Sequence, residues 1–242
     1  MYAIVLAGGK GTRMKSPLPK VLHKICGRPM ISYIIGVLRS LKEIEGIVTI
    51  VGYKRALVKK ALPKGVKTAV QKQMLGTGDA VKSAIRTLKG FKGDVLVLCG
   101  DTPLVTPKTI SAIMGKHIGE MNDVTLVTAI VKEPKGYGRI IRTASGRVAG
   151  IVEEKSATSR QKKIKETNSG VYVYNWLKLA WALGKIKKNK LKGEYYLTDA
   201  IEIFRKKKYK IGAYVAGDPL EFIGVDDVER LKNAEKILAK RK

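Results

Sequence analysis

Tyr2-Ala-Ile-Val-Leu-Ala-Gly-Gly-Lys-Gly-Thr-Arg-Met14 opens with an apolar run that breaks off into three glycines interleaved with Lys10 and Arg13. A short apolar run closed by glycine reads as a buried strand ending in a tight loop. Lacking a Cβ, glycine lets backbone N–H groups approach a ligand closely, and neighbouring cations suit phosphate oxygens. Pro17, Pro19 and Lys20 follow at once and add another cation. The spacing fits neither G-x-G-x-x-G nor G-x-x-x-x-G-K-[ST], so the stretch alone indicates a phosphate cradle or simply a tight turn.

Outward from this stretch, strand-like runs at 2–7, 47–51, 66–70, 94–99 and 124–131 alternate with helical spacing at 30–41, 54–62, 77–89 and 107–117. That alternation predicts βαβ units and an α/β fold with a mixed, mostly parallel sheet flanked by helices. Ligands of such sheets bind beyond the carboxyl ends of the strands. Gly8-Gly9, Gln71 and Gly100-Asp101, each at such an end, are therefore expected on one face. The second half changes character. Residues 138–143 and 147–153 read as a hairpin, 155–166 as a mobile basic loop, and 168–174 and 211–216 as strands. Helices are expected near 175–184, 196–207 and 227–240. No repeat or linker divides the chain, so one domain over 1–227 is expected, followed by a C-terminal helix over 228–242. Its stripe of Val228, Leu231, Ala234 and Leu238 has helical spacing and suits packing on the domain or the start of an arm.

The chain has 242 residues, 45% of them hydrophobic, enough for a substantial core. No apolar run is long enough to span a membrane. The N-terminus starts directly in a strand rather than in an export signal, and two cysteines make no disulfide framework, so a cytoplasmic protein is expected. With 48 Lys+Arg against 20 Asp+Glu the formal charge is +28, which draws anions. The cations are scattered with few aromatics between them. That reads as a solvated basic surface, with no specific nucleic-acid site.

Asp101, just past the run Asp94-Val-Leu-Val-Leu-Cys99, offers the carboxylate oxygen that Mg2+ prefers, or merely starts the turn before Pro103. Asp226 and Asp227 precede a helix; either can cap it, and Asp101 with Asp226 makes a two-carboxylate Mg2+ site. Gln71 and the Gly76-Thr77-Gly78 loop can meet the edge of a base through an amide and backbone N–H groups. Glu153, Asn168 and Thr198 suit sugar hydroxyls, although each alone also suits a surface or capping role. His23, His117, Cys26 and Cys99 read as structural.

Taken together, these pieces resemble the uridylyltransferase (pyrophosphorylase) domain of bacterial N-acetylglucosamine-1-phosphate uridyltransferases, within the sugar nucleotidyltransferase superfamily. The matching segments are Leu6 to Met14, Leu18 to His23, Gln71 with Leu75 to Gly78, Gly100 to Leu104, Gly136 to Ile140, Ile151 to Lys155, Asn168 to Tyr172 and Glu194 to Asp199. They are collinear and cover nearly the whole chain. The resemblance implies a Rossmann-like (GT-A-like) nucleotidyltransferase fold and no β-helix domain. It implies that Leu6, Ala7, Gly8, Gly9, Gln71, Gly76 and Thr77 hold the uridine, and that Gly11 and Thr12 lie along the phosphates. Arg13, Lys20 and Asp101 would be catalytic, and Asp101 with Asp226 would bind Mg2+. Gly138, Glu153, Asn168, Tyr196 and Thr198 would line the amino-sugar pocket.

The implied reaction joins UTP and N-acetylglucosamine 1-phosphate into UDP-N-acetylglucosamine and pyrophosphate; a homo-oligomer is compatible with the sequence, which does not set the oligomeric state. Asp226 stands where the family usually has Asn, and Cys99 where it usually has Tyr. Many relatives continue into a hexapeptide-repeat acetyltransferase domain, and no acetyl transfer is expected of these residues. The competing readings are a transferase for glucose 1-phosphate or another nucleotide, and an inactive basic nucleic-acid binder on a retained fold.

Overall fold

The computed structural model describes residues 1–190 and 193–241. The chain runs through β1 (Tyr2–Ala7), a small ribbon of β2 (Lys24–Ile25) and β3 (Arg28–Pro29), α1 (Met30–Arg39), β4 (Gly46–Val51), α2 (Arg55–Ala61), β5 (Lys67–Val70) and α3 (Thr77–Lys82). It continues through β6 (Asp94–Cys99), α4 (Pro107–Gly119), β7 (Val124–Ile130), β8 (Arg139–Arg142), β9 (Val148–Val152) and α5 (Ser159–Lys162). The last elements are β10 (Glu166–Asn175), α6 (Trp176–Leu183), α7 (Asp199–Lys206), β11 (Ile211–Val215) and α8 (Val228–Lys240).

Among the described residues the main sheet has the order β11-β7-β10-β6-β1-β4-β5, with β8 and β9 attached beside β10. β1 runs parallel to β4 and β6, β4 to β5, and β11 to β7. β10 alone in that path is antiparallel, to both β6 and β7. The sheet is thus mixed and mostly parallel, with helices on both faces and no β-helix among the described residues. The topology explains the placement of the site. The parallel strands deliver their carboxyl ends to one edge, and reversed β10 delivers its beginning, Glu166 to Asn168, to that same edge.

Successive strand residues face opposite sides of a sheet. Ala3, Val5 and Ala7 therefore join the layer of α1 and α4, with Ile34, Leu38, Ile110 and Ile113. Ile4 joins the opposite layer of α3, α6 and α7, with Val81, Leu179, Ile201 and Phe204. Burial on both faces is why the parallel strands read as unbroken apolar runs. A third, smaller cluster seats α8: Ala234 is buried with Ile25, Met30, Leu104 and Val225, and Leu231, Ile237 and Leu238 pack against it. Val228, expected in that stripe, is instead exposed.

Most expected elements occur within a residue or two, and three depart for local reasons. The helix expected over 77–89 ends at Lys82. The Ser83 hydroxyl and N–H both donate to the Asp79 carbonyl, and the N–H groups of Ala84 and Ile85 bond three residues back, so the segment continues as tight turns. The stretch 155–166 is not a plain loop. It holds a 3-10 turn, Glu154–Ser156, and the short helix α5, with Thr158 and Gln161 forming a capping box. The β2–β3 ribbon has strands too short to show a period; Cys26 (φ 46°) and Gly27 (φ 79°) make its turn.

Candidate active site

At the carboxyl end of β1, Leu6, Ala7, Gly8 and Gly9 line a cavity of about 290 Å³ with Gln71, Gly76, Thr77 and Tyr196, while Lys20 and Asp101 close one end. Gln71 is buried, and its Nε2 donates to the Gly76 carbonyl (3.0 Å) and to Asp79 Oδ2 (2.8 Å). A carboxylate only accepts, so the amide's orientation is determined and Oε1 is left toward Gly8. The expectation that Gln71 offers a donor and an acceptor together therefore narrows to an acceptor.

The loop opening α3 is stitched to the far half of the chain. Gly78 N donates to the Tyr195 carbonyl (2.8 Å), Tyr195 N to the Leu75 carbonyl (2.7 Å), and Leu197 N to Thr77 Oγ1 (3.0 Å). Gly76 has φ 98°, and a Cβ there would lie 2.6 Å from the Tyr195 carbonyl oxygen. Only glycine meets both conditions.

The charged centre lies beside this cavity. Gly11 (φ 69°) leads into a 3-10 turn, Thr12–Met14, that holds Arg13 out with 69% of its side chain exposed. A Cβ on Gly11 would lie 2.5 Å from Lys20 Cβ, so the glycine loop and the Lys20 stem pack directly together. Lys20 Nζ pairs with Asp101 and, at 2.7 Å, with Asp226 Oδ1; Arg13 Nη2 reaches Asp226 Oδ2 at 3.1 Å. Burial opposes the Lys20 charge, but Asp101 and Asp226 outweigh it and hold the ammonium's pKa above its usual value.

Of the two aspartates before α8, Asp227 is the cap, accepting from Arg230 N at 2.8 Å. Asp226 is thereby left for the charged centre. Arg230 stands behind it, 3.7 Å from Asp226 Oδ2, donating to the Gly224 carbonyl (3.2 Å) with its guanidinium over the Tyr137 ring.

Of the residues expected at the sugar, Asn168 and Glu153 meet at Gly138. A Cβ there would lie 3.6 Å from Asn168 Cβ and 3.7 Å from Glu153 Oε2. Asn168 N bonds the Gly138 carbonyl at 2.8 Å, and Thr198 Oγ1 donates to Glu153 Oε1 at 3.0 Å. Burial raises the Glu153 pKa, an effect the Thr198 hydroxyl offsets and the Glu194 charge reinforces. Asn168 precedes a bulge, Ser169-Gly170, that interrupts β10 pairing with β7; its Oδ1 accepts from Tyr172 Oη (2.9 Å). Bulges re-aim side chains in this way. Glu153 and Tyr196 also line a second cavity, of about 700 Å³, together with Arg13 and Glu194.

Two groups absent from the sequence reading join the site. Glu194 lines both cavities, and Asp199, at the start of α7, has its pKa pushed up to about 6 by burial and by the charges of Glu153 and Glu202. Both end residues of the Glu194 to Asp199 segment belong to the family resemblance, but no residue-level signal singled out either of them. Cys99 lines the nucleotide-side cavity, where burial and then Asp101 push its thiol up to about 12, far from a nucleophile. Another cavity, of about 760 Å³ under α8, includes Tyr137 and Arg230 from beside the charged centre but none of the expected binding residues.

Among the described residues no group of three or more His, Cys, Asp or Glu side chains could hold a metal. Asp101 and Asp226 do converge on one cationic atom, Lys20 Nζ. Two carboxylates completed by phosphate oxygens are what Mg2+ usually takes, so this donor set fits that ion. Among the described residues no helix is long and apolar enough to cross a membrane.

Residues 2–218 match the nucleotidyl transferase family model. The chain is 46% identical over its full length to the bifunctional protein GlmU of Caldanaerobacter subterraneus, 45% over 99% of its length to that of Streptococcus suis, and 45% over its full length to that of Thermoanaerobacter pseudethanolicus. In each case it covers 52% of the relative, so the chain spans about half the length of the curated relatives it matches. With the match running through both walls of the site, the chain belongs to the nucleotidyl transferase family, as a GlmU-like member of it.

Proposed function

We propose that this nucleotidyltransferase moves UMP from UTP to N-acetylglucosamine 1-phosphate, giving UDP-N-acetylglucosamine and pyrophosphate. The observation that carries the reading is a continuous site. Glu194 and Tyr196 line both the cavity at Leu6 to Gly9 and the one at Glu153, and the Lys20–Asp101–Asp226–Arg13 centre adjoins both. A base at one end and a sugar at the other leave the phosphates beside the cations.

The reaction forms a bond from a sugar-phosphate oxygen to the α-phosphorus and breaks the bond to the β-phosphate bridging oxygen. The attacking oxygen is already anionic, so no side chain has to remove a proton. Positioning and charge neutralisation carry such transfers. Gln71 Oε1 suits the ring N–H of uracil, and the backbone at Leu6 to Gly9 holds the nucleoside. Lys20 and Arg13 neutralise the departing pyrophosphate. Glu153, Thr198, Asn168, Gly138 and Tyr196 fix the amino sugar so that its phosphate lies in line. Asp101 and Asp226 would hold Mg2+, which when bound supplies Lewis-acid neutralisation of charge on the phosphoryl oxygens. The proposal concerns nucleotidyl transfer alone and takes nothing from the second activity in the relatives' name.

Pyrophosphate release over a panel of nucleoside triphosphates and sugar phosphates tests it. Turnover is expected with UTP plus N-acetylglucosamine 1-phosphate. Turnover only with another pair would overturn the substrates. Turnover with none, alongside tight RNA binding, would leave the basic-binder reading.

A further inference from the structure

Lys20 is held where a metal ion would be needed. Its ammonium pairs with Asp101 and Asp226, the only two carboxylates that converge there among the described residues. All three side chains are largely shielded, 17% exposed for Lys20 against 13% and 21% for its partners. Two shielded carboxylates facing one another repel and need a counter-ion. Arg13 and Arg230 flank Asp226, and Arg230 is shared with Asp227, so the three aspartates of this cluster already face three cations. The nucleotide-free centre thus has no surplus negative charge with which to attract a divalent cation.

We infer that Lys20 is the resident counter-ion of the metal position: its ammonium occupies the Asp101–Asp226 pair until a nucleoside triphosphate draws it onto phosphate, so a divalent cation enters with the nucleotide and not before it. The inference rests on the metal reading given above. A triphosphate brings several negative charges to a centre rich in cations, and Lys20 and Arg13 then have phosphate oxygens to pair with. The carboxylates are released at the moment the charge balance favours a second cation. The position of the Lys20 stem against Gly11, where a Cβ would lie 2.5 Å from Lys20 Cβ, ties this exchange to the glycine loop that meets the phosphates. The aspartate at 226 strengthens the hold: an asparagine there would give Lys20 a neutral oxygen in place of a charged one.

Mn2+ binding to the nucleotide-free protein, followed by the EPR signal of the free ion, tests this directly. Lys20→Gln should bind Mn2+ at least about tenfold more tightly than the wild type, because a shielded competing charge has been removed. Lys20→Arg, which keeps the charge, should stay near the wild-type value. Equal Mn2+ affinity in wild type and Lys20→Gln, or equal gains in Lys20→Gln and Lys20→Arg, would overturn the inference while leaving the metal position intact. With UTP added, water-proton relaxation should report protein-bound Mn2+ in the wild type; its absence would remove the metal assignment and this inference together. If Lys20→Gln does not fold alone, recovery in millimolar Mn2+ supports the counter-ion role, and no recovery overturns it.

Discussion

The two walls of the site are built by different means. The wall at Leu6 to Gly9, where we place the nucleotide, is largely backbone: glycines at 8, 9 and 76 on loops that leave a parallel strand or enter a helix, with Gln71 bonded to the last of them. The wall at Glu153, where we place the sugar phosphate, is side chains: Glu153, Asn168 and Thr198 come from three segments, Thr198 donating to Glu153 and Asn168 held by a backbone bond to Gly138. A wall of backbone depends on local conformation, so damage to it should appear as strain. A wall of mutually braced side chains depends on charge and hydrogen bonding, so damage should appear in substrate affinity and in pH dependence. The charged centre contributes residues to both cavities.

That contrast orders the expected effects. Asp101→Ala should lower turnover by on the order of 1000-fold or more, since it removes a carboxylate at the reacting phosphates. Circular dichroism should show a folded protein, and KM values for both substrates should not account for the loss. Glu153→Gln should raise the KM for the sugar phosphate about 10- to 100-fold, the range for a hydrogen bond to a charged group, with the UTP KM little changed. An equal rise in both would mean the walls do not divide the substrates as described.

Gly76→Ala should cost about 1–3 kcal/mol of stability in denaturant unfolding, because it imposes a Cβ at φ 98° against the Tyr195 carbonyl. It should weaken UTP more than the sugar phosphate, although the stitched 195–197 segment carries some damage across.

The smallest effect concerns Asp199. Its folded pKa, about 6, lies above the ordinary 3.8, so the folded state binds more protons than the unfolded one between those values. Stability therefore falls as pH rises from about 4 to about 6 and stays lowered above that. Asp199→Asn should raise stability at pH 7.5 by about 1 kcal/mol, after allowance for solvent screening of a half-exposed group, and should change little near pH 4. A melting temperature unaffected at pH 7.5 would mean that Glu153 and Glu202 do not press on this carboxyl.

The difference between the walls also explains what could be read in the chain. Leu6 to Gly9 and Gly100-Asp101 were legible because a doubly buried strand is an unbroken apolar run and a glycine-rich stop is local. Their shared edge followed from parallel pairing alone. Glu153, Asn168 and Thr198 were open in the sequence between sugar hydroxyls and a cap or surface role until the family resemblance chose for them, and only the reversed direction of β10 and its bulge bring Asn168 to the edge occupied by Asp101. Gln71 was named as a base-edge residue, but Asp79, the third residue of α3 and eight from Gln71, determines which face of the amide is free. Asp226 and Asp227 are indistinguishable in sequence; helix geometry makes one the cap and frees the other.

The sequence by itself determined the α/β alternation, the strand ends that share one edge of the sheet and the identity of the cations and carboxylates, because these depend on periodicity and on residue chemistry within a few positions. Only the tertiary structure decided which charges meet. Lys20 lies 81 residues from Asp101 and 206 from Asp226, and no local rule links them. Coulomb forces act through space rather than along the chain, so the centre of the site exists only once the sheet has brought β1, β6 and the segment before α8 together.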